Sequence, residues 1–421
     1  MEMKQNLGVK VLLGLGVACL SSCSFSEKET FPAWQEGEME IHHIYTGRGE
    51  SNFMIFPDGT SLLVDAGDFD PSDYPLMCEP LPDRSRRAGE WIARYVERVN
   101  PHRDRVDYLL VSHFHNDHTG DSSLPVPHTE NRNPDYARVG IAEAGEVLRF
   151  GKVFDRGYPD YQYPLPINDR DVDNYRAFLH WQASQFGLQQ EPFVVGKENQ
   201  ITLKYHPDRY ASRFSIRNLA ANGEVWKGTG GETIRYYDEN IANLDPQHQN
   251  ENTKSLALRI AYGSFRYYCG GDAVGSLLDS NGEKVNIEEK VGEACGTVDV
   301  SKANHHAYKD AMTEGFLRHI QAKQYVIPVW DHEHIQPDVI QRMVTMTADK
   351  SDPVVYVTHM PQARQEKYAS ESWMQSVSPV SGHVVIKVFD EGRKYSIYVL
   401  SAEDERCPVK AVYGPYESGN K

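Results

Sequence analysis

Residues 39–66 carry two short apolar runs, IHHIYTGRGESNFMIF and SLLVDAG, separated by Pro57, Asp58 and Gly59. Strand-like runs broken by turn-forming residues predict an opening β meander. Over residues 84–99 the pattern changes, and Ala88, Trp91, Ile92, Tyr95, Val96 and Val99 recur at helical spacing. That is an amphipathic helix packed on a sheet. The run DYLLVS (107–112) is continuously apolar and short, as a strand buried on both faces requires. Residues 121–250 are rich in Pro, Asn, Asp and Tyr, with one helical pattern at 172–186, and read as an insertion that forms walls and lids over the core. Strands resume at 256–263 and 265–272, with a hairpin at 262–264. Helices at 287–294 and 313–321 then alternate with strands at 298–304, 324–330 and 353–359, before a last hairpin at 383–400. A β-rich half followed by alternating elements predicts an α/β fold of four layers, an αββα sandwich.

The chain has 421 residues, 40 % of them apolar and 25 % charged, an ordinary globular composition that suits one large domain over residues 38–421. Its formal charge of −16 repels a phosphate backbone at long range. Nucleic acid is thereby disfavoured as a partner, though a local basic cleft would override this.

The N-terminus changes the picture of where the domain works. Lys4 and Lys10 precede or begin an apolar run over residues 11–20 that is too short to span a bilayer and has the form of a secretory signal. Leu20, Ser21, Ser22 and Cys23 resemble a bacterial lipobox. Residues 1–22 are therefore expected to be a lipoprotein signal peptide, Cys23 the lipidated residue, and residues 23–37 a tether holding the domain at a membrane. The expected location is the periplasmic face or the cell surface. Cys78, Cys269, Cys295 and Cys407 then sit in a compartment that permits disulfides, without the spacing of a zinc knuckle.

The densest chemistry follows DYLLVS directly. His113, His115, Asp117 and His118 place three imidazoles and a carboxylate within six residues. In an extended segment residues i and i+2 project to one side, so His113 and His115 can grip one ion while Asp117 and His118 present donors to another. Imidazole nitrogen and carboxylate oxygen suit zinc, and two ions sharing a water lower its pKa towards neutrality. A surface loop that merely happens to be rich in histidine is the bland alternative, and its density after a buried strand argues against it.

HFHNDHTGD resembles the signature of the metallo-β-lactamase superfamily, and further pieces occur in that family's order. The resemblance implies that Asp65, in LLVDAGD, orients the metal loop. It implies that Asp272, in YYCGGDA, bridges two ions and that His306, in SKANHHAYKD, is a ligand of the second, with His305 as the alternative. Within the superfamily the likeness is to the hydrolase domain of the bacterial DNA-uptake competence channel, through IYTGRGES, ENTKSLALRI and HEHIQPDVIQRM. By that likeness His334 contacts substrate, stabilising anionic oxygen or protonating a leaving group. Tyr45 replaces an acidic residue of that branch, and Ala307 and Tyr308 replace its Gly and Ser. The family's third histidine on the first ion has no clear counterpart; His248, Glu251, Asn252 or water are open for that position. Fewer nitrogens there would favour manganese over zinc.

These readings imply two divalent ions, zinc or alternatively manganese, and a hydrolase in which Asp117 positions the activated water. The expected substrate is a phosphodiester or other phosphoester, small or derived from the envelope. Lactam, lactone or thioester hydrolysis is the alternative, and a lipoprotein that binds metal and an envelope ligand without turnover is a third reading. The oligomeric state is not legible. His128, His180, His206 and His359 read as structural or surface residues, and His332, Glu333 and His334 as a polar loop before a second metal cluster. Tyr158, Tyr161, Tyr163, Trp181 and Trp226 read as lid packing, with stacking on a flat ligand as the minority alternative.

Overall fold

The computed structural model describes residues 30–71, 74–132, 135–237, 250–347 and 353–419. The expected signal peptide, Cys23 and His248 lie outside them. Within the expected tether, Phe31 and Trp34 pack on the outer core, and Phe31 meets Tyr398 edge-on at 5.0 Å. Packing on the domain therefore starts a few residues before the expected boundary at residue 38, because two large aromatic rings there find apolar surface to bury.

Among the described residues the strands form two large sheets. The first has nine strands in the order Val409–Glu417, Lys394–Leu400, His383–Phe389, Met39–His43, Asn52–Ile55, Ser61–Val64, Arg105–Leu110, Arg149–Phe154 and Gln189–Gln190. The second has eight: Val355–Val357, Gln324–Ile327, Val300–Lys302, Phe265–Gly270, Ala257–Tyr262, Phe214–Ala221, Glu224–Trp226 and Thr233–Arg235. One apolar cluster lies between them, with Met54 and Ile386 from one sheet meeting Leu258 and Tyr267 from the other. A second joins the first sheet to helices Ala88–Val99 and Arg170–Phe186, and a third joins the second sheet to helices Ile287–Cys295, Glu314–Ile320 and Pro337–Met346. The four-layer αββα sandwich is present.

Local chemistry accounts for these elements. Helix Ala88–Val99 buries Trp91, Ile92, Tyr95 and Val96 on one face. Helix Arg170–Phe186 starts where the Asp169 carboxylate accepts hydrogen bonds from the N–H groups of Asp171 and Val172, and it stops at Gly187, whose φ of 76° ends the helical ladder.

One expectation needs correction. The described part of residues 121–250 does not simply sit over the core as an insertion; strands from it extend both sheets, Arg149–Phe154 the first and Phe214–Ala221 the second. Their polar connectors hid strands of two to eight residues. The last strand, Val409–Glu417, was also not foreseen, because it is a half-exposed edge strand carrying Gly414 and Pro415.

Strands Ser61–Val64, Arg105–Leu110 and Arg149–Phe154 are parallel, as are Phe265–Gly270, Val300–Lys302 and Gln324–Ile327. The candidate residues Asp65, His113 to His118, Asp272, His306 and His334 all follow the carboxyl ends of these strands, in loops where the two sheets meet. Leu256 N–H donates to Ser112 O at 2.9 Å there, tying one sheet to the other.

Candidate metal centre

The chain leaves strand Arg105–Leu110 extended, so His113 and His115 face each other, with His113 Nε2 3.1 Å from His115 Nδ1. Asn116 to Thr119 then form one helical turn that carries Asp117 and His118 back toward the same point. Two glycines permit this return. A Cβ on Gly67 would stand 1.8 Å from Asp117 O, and one on Gly49, whose φ is 137°, would stand 2.4 Å from it. With no side chain in the way, Glu50 N–H donates to that same carbonyl at 2.8 Å.

Asp272 lies at the focus. Its Oδ2 is 3.8 Å from His113 Nε2, 3.3 Å from His118 Nε2 and 3.5 Å from His306 Nε2. Asp117 Oδ2 is 3.0 Å from His306 Nε2 and 3.5 Å from His118 Nε2. Donors bound tetrahedrally to one ion at about 2.0–2.2 Å stand about 3.4 Å apart, so these spacings fit two adjacent ions that share Asp272.

The tautomers are fixed from behind. Asp65 Oδ2 accepts from His118 Nδ1 at 2.8 Å, and Pro328 O accepts from His306 Nδ1 at 3.0 Å. Each ring therefore spends Nδ1 on an outer acceptor and turns Nε2 into the centre, the nitrogen that a bound cation would take. Asp65 is held in turn by Ser112, whose N–H and hydroxyl reach its two oxygens at 2.7 and 2.6 Å. Among the described residues, His118 Nε2 and Asp272 Oδ1 are buried without a hydrogen-bond partner. Such orphaned atoms on a full donor set are what a cation site requires.

Charge follows the same geometry. Burial alone would push the His118 pKa down and that of Asp272 up, but each holds the other: His118 stays well above the usual imidazole range and Asp272 well below the carboxylate range. Asp117 is likewise held low by His118 and His306 against the effect of burial.

Glu50, His118, Asp272 and His306 form one candidate metal-binding group, and His113, His115 and Asp272 a second, each with donor atoms within 4.8 Å of one another. Glu50 is new relative to the sequence reading. Its Oε2 lies 3.4 Å from His306 on the Nδ1 side and accepts from Lys302 Nζ at 2.9 Å. It therefore sits behind His306, and Asp117 is the carboxylate facing the His306 lone pair.

A profile of the metallo-β-lactamase superfamily matches residues 45–170. The two-sheet architecture is consistent with that family's fold, and the matched segment includes Glu50, Asp65 and the His113 to His118 loop. Asp272 and His306 lie beyond it and are brought in by the second sheet. Comparison with curated proteins returned no match. The superfamily match and the donor cluster together suggest a metal-dependent hydrolase.

The remaining candidates separate clearly. His305 turns away to Asp310, 2.7 Å from its Nδ1, so His306 is the one that enters the cluster. Residues His305, His306 and Ala307 all have positive φ, of 43°, 50° and 58°, a strained run that aims His306 inward. His334 stacks on His306, ring centroids 4.5 Å apart, and is buried. Trp330 N–H donates to its Nδ1 at 3.4 Å, and burial and His306 keep its pKa well below the ordinary value. With Nδ1 accepting that N–H, Nε2 is the nitrogen left to donate a hydrogen bond. Glu251 drops out as the missing ligand, because both its oxygens bind Arg156 at 2.5 Å and one also accepts from Phe114 N–H. The four cysteines outside the N-terminal segment are buried and free. Tyr161, Trp181 and Trp226 are buried and pack, whereas Tyr163 is exposed.

Sequence reasoning missed Glu50 and Lys302. The acid after the paired glycines in GRGES was a usable signal for the first; a single lysine in VDVSKAN gave none for the second.

Proposed function

We propose that the chain is a dinuclear metal-dependent phosphoesterase, with phosphodiesters ranked before other phosphoesters, working at the bacterial envelope. The observation that carries this reading is the convergence of His113, His118 and His306 on Asp272 Oδ2, with His115 against His113 and Asp117 against His306 and His118. His113, His115 and Asp272 would hold one ion, and Asp117, His118, His306 and Asp272 the other. When bound, such a pair supplies Lewis acidity and a water of lowered pKa.

The chain's own groups do the rest. Asp117, whose side chain is the most open of the second set, orients the attacking water. Ser255 Oγ accepts from Asp272 N–H at 3.1 Å and, with Lys302, keeps the shared carboxylate in place. His334 donates its Nε2 proton in a hydrogen bond to developing negative oxygen. The likeness to the competence-channel hydrolase supports a phosphodiester, while the charge of −16 supports a small or envelope-derived substrate rather than long nucleic acid. The lipobox-like Cys23 supports an exported lipoprotein. Among the described residues no helix is long and apolar enough to cross a membrane.

The test is hydrolysis of bis-p-nitrophenyl phosphate, nitrocefin and a lactone with zinc or manganese, beside an Asp117→Ala, His118→Ala double variant. Turnover of the phosphodiester above the double variant is expected. Turnover confined to nitrocefin or the lactone would move the assignment to acyl chemistry, and no turnover would favour a binding lipoprotein.

A further inference from the structure

The two ion positions are unequally furnished. The second is faced by Asp117, His118, His306 and the shared Asp272, with Glu50 behind His306, whereas the first has only His113, His115 and Asp272 among the His, Asp, Glu and Cys side chains described. We infer that Asn252 completes the first position through its side-chain amide oxygen, an assignment that rests on the dinuclear reading above.

Three observations lead there. The turn Glu251–Lys254 is fastened to the His113 segment at both ends: Glu251 Oε1 accepts from Phe114 N–H at 3.0 Å, and Leu256 N–H donates to Ser112 O at 2.9 Å. The turn that carries Asn252 is thus held against the segment that carries His113. Its neighbour Glu251 is consumed by Arg156, which removes the stronger donor of the pair. Asn252 itself is 3 % exposed, and its Oδ1 is buried with no hydrogen-bond partner among the described residues. Buried amide oxygens are ordinarily satisfied. Other atoms are orphaned as well, Arg156 Nη1 and Asn222 Oδ1 beside this turn among them, so the orphan alone does not decide; the fastening of its turn to the His113 segment, together with orphaned His118 Nε2 and Asp272 Oδ1, does.

An amide oxygen in place of a third imidazole makes the first position harder. Irving–Williams preference for zinc is weakened there and manganese gains, because oxygen donors suit it. The first ion is also the more loosely held of the two, since a neutral oxygen binds less strongly than an imidazole nitrogen.

The experiment uses the full chain, stripped of metal and titrated with Mn²⁺ or Zn²⁺, with bound ions counted by mass spectrometry and the manganese form read by electron paramagnetic resonance. The parent is expected to bind two ions per chain with a spin-coupled manganese signal. Asn252→Ala should weaken one ion at least tenfold and abolish the coupling, Asn252→His should restore two ions and shift preference at least tenfold toward zinc, and His248→Ala should behave as the parent. The inference is overturned if Asn252→Ala keeps two ions at parental affinity, or if His248→Ala loses one. Rescue by Asn252→His separates a lost ligand from a damaged fold. A parent chain that binds no ion would sink the dinuclear reading itself, an outcome distinct from failure of Asn252 alone.

Discussion

Lys302 Nζ stands 2.9 Å from Glu50 Oε2 and 3.9 Å from Asp272 Oδ1, all three side chains being at most 1 % exposed. The ammonium also donates to Gly271 O at 3.0 Å. Burial works against its charge, yet Glu50 and Asp272 outweigh that and raise its pKa. A buried cation thus sits between a carboxylate behind His306 and the one shared by the proposed ions.

Lys302→Met should leave two buried carboxylates uncompensated. Removing one partner of a buried pair costs about 3–5 kcal/mol. Chemical denaturation should show a loss of that order, and the double variant Lys302→Met, Glu50→Gln should recover part of it. Equal stability of the single variant and the parent would refute the role given to this pair.

Asp65→Asn tests the orienting bond to His118. An amide in that place presents an N–H as readily as an oxygen and loosens the tautomer. Loss of such a supporting group typically lowers metal affinity or activity about 10–100-fold. Metal titration should show it at the position held by Asp117, His118 and His306, with the His113 position less affected.

Gly67→Ala puts a methyl group onto Asp117 O. The backbone must move to relieve a 1.8 Å contact, so both Asp117 and the Glu50 N–H bond are displaced. Overpacking of this kind costs about 1–3 kcal/mol, but the greater effect should fall on metal occupancy. A variant that kept both ions and parental activity would contradict the close approach.

Acid should destabilise the fold through two histidines outside the donor set. Burial, the largest influence, takes His43 and His383 down to about 3; Lys302 adds to it at His43, and Arg98 at His383. His383 is kept neutral by use, since its Nδ1 accepts the Tyr45 N–H at 3.0 Å. Unfolded, each titrates near 6.5, so the unfolded chain takes up protons that the folded one refuses. The stability contributed is full above pH 6.5 and is lost as pH falls toward 3, at up to about 1.4 kcal/mol per pH unit for each ring. Denaturant midpoints at pH 7, 6 and 5 should fall in that order, and His383→Asn should flatten the slope.

The HxHxDH loop could be read from sequence because its donors are local and follow one apolar strand. Asp65, Asp272 and His306 were legible only through their likeness to a family pattern. Glu50 and Lys302 were not, since their meaning is a contact across 252 residues, and a lone lysine in a short strand reads as solvent-facing. Glu251 looked like a ligand for the same reason: the Arg156 that occupies it lies 95 positions away. Strands inside residues 121–250 were masked by the polar loops between them, which carry more of the local composition than the strands do.

The donors proposed for both ions are split between the two sheets, with the loop of His113 to His118 on one and Asp272 and His306 on the other. A chain whose halves have not docked offers each cation an incomplete grip and gains little from it. Loading is then a proofreading step: the chemistry is withheld until the sandwich has closed, and what arms the site also rivets its two faces together.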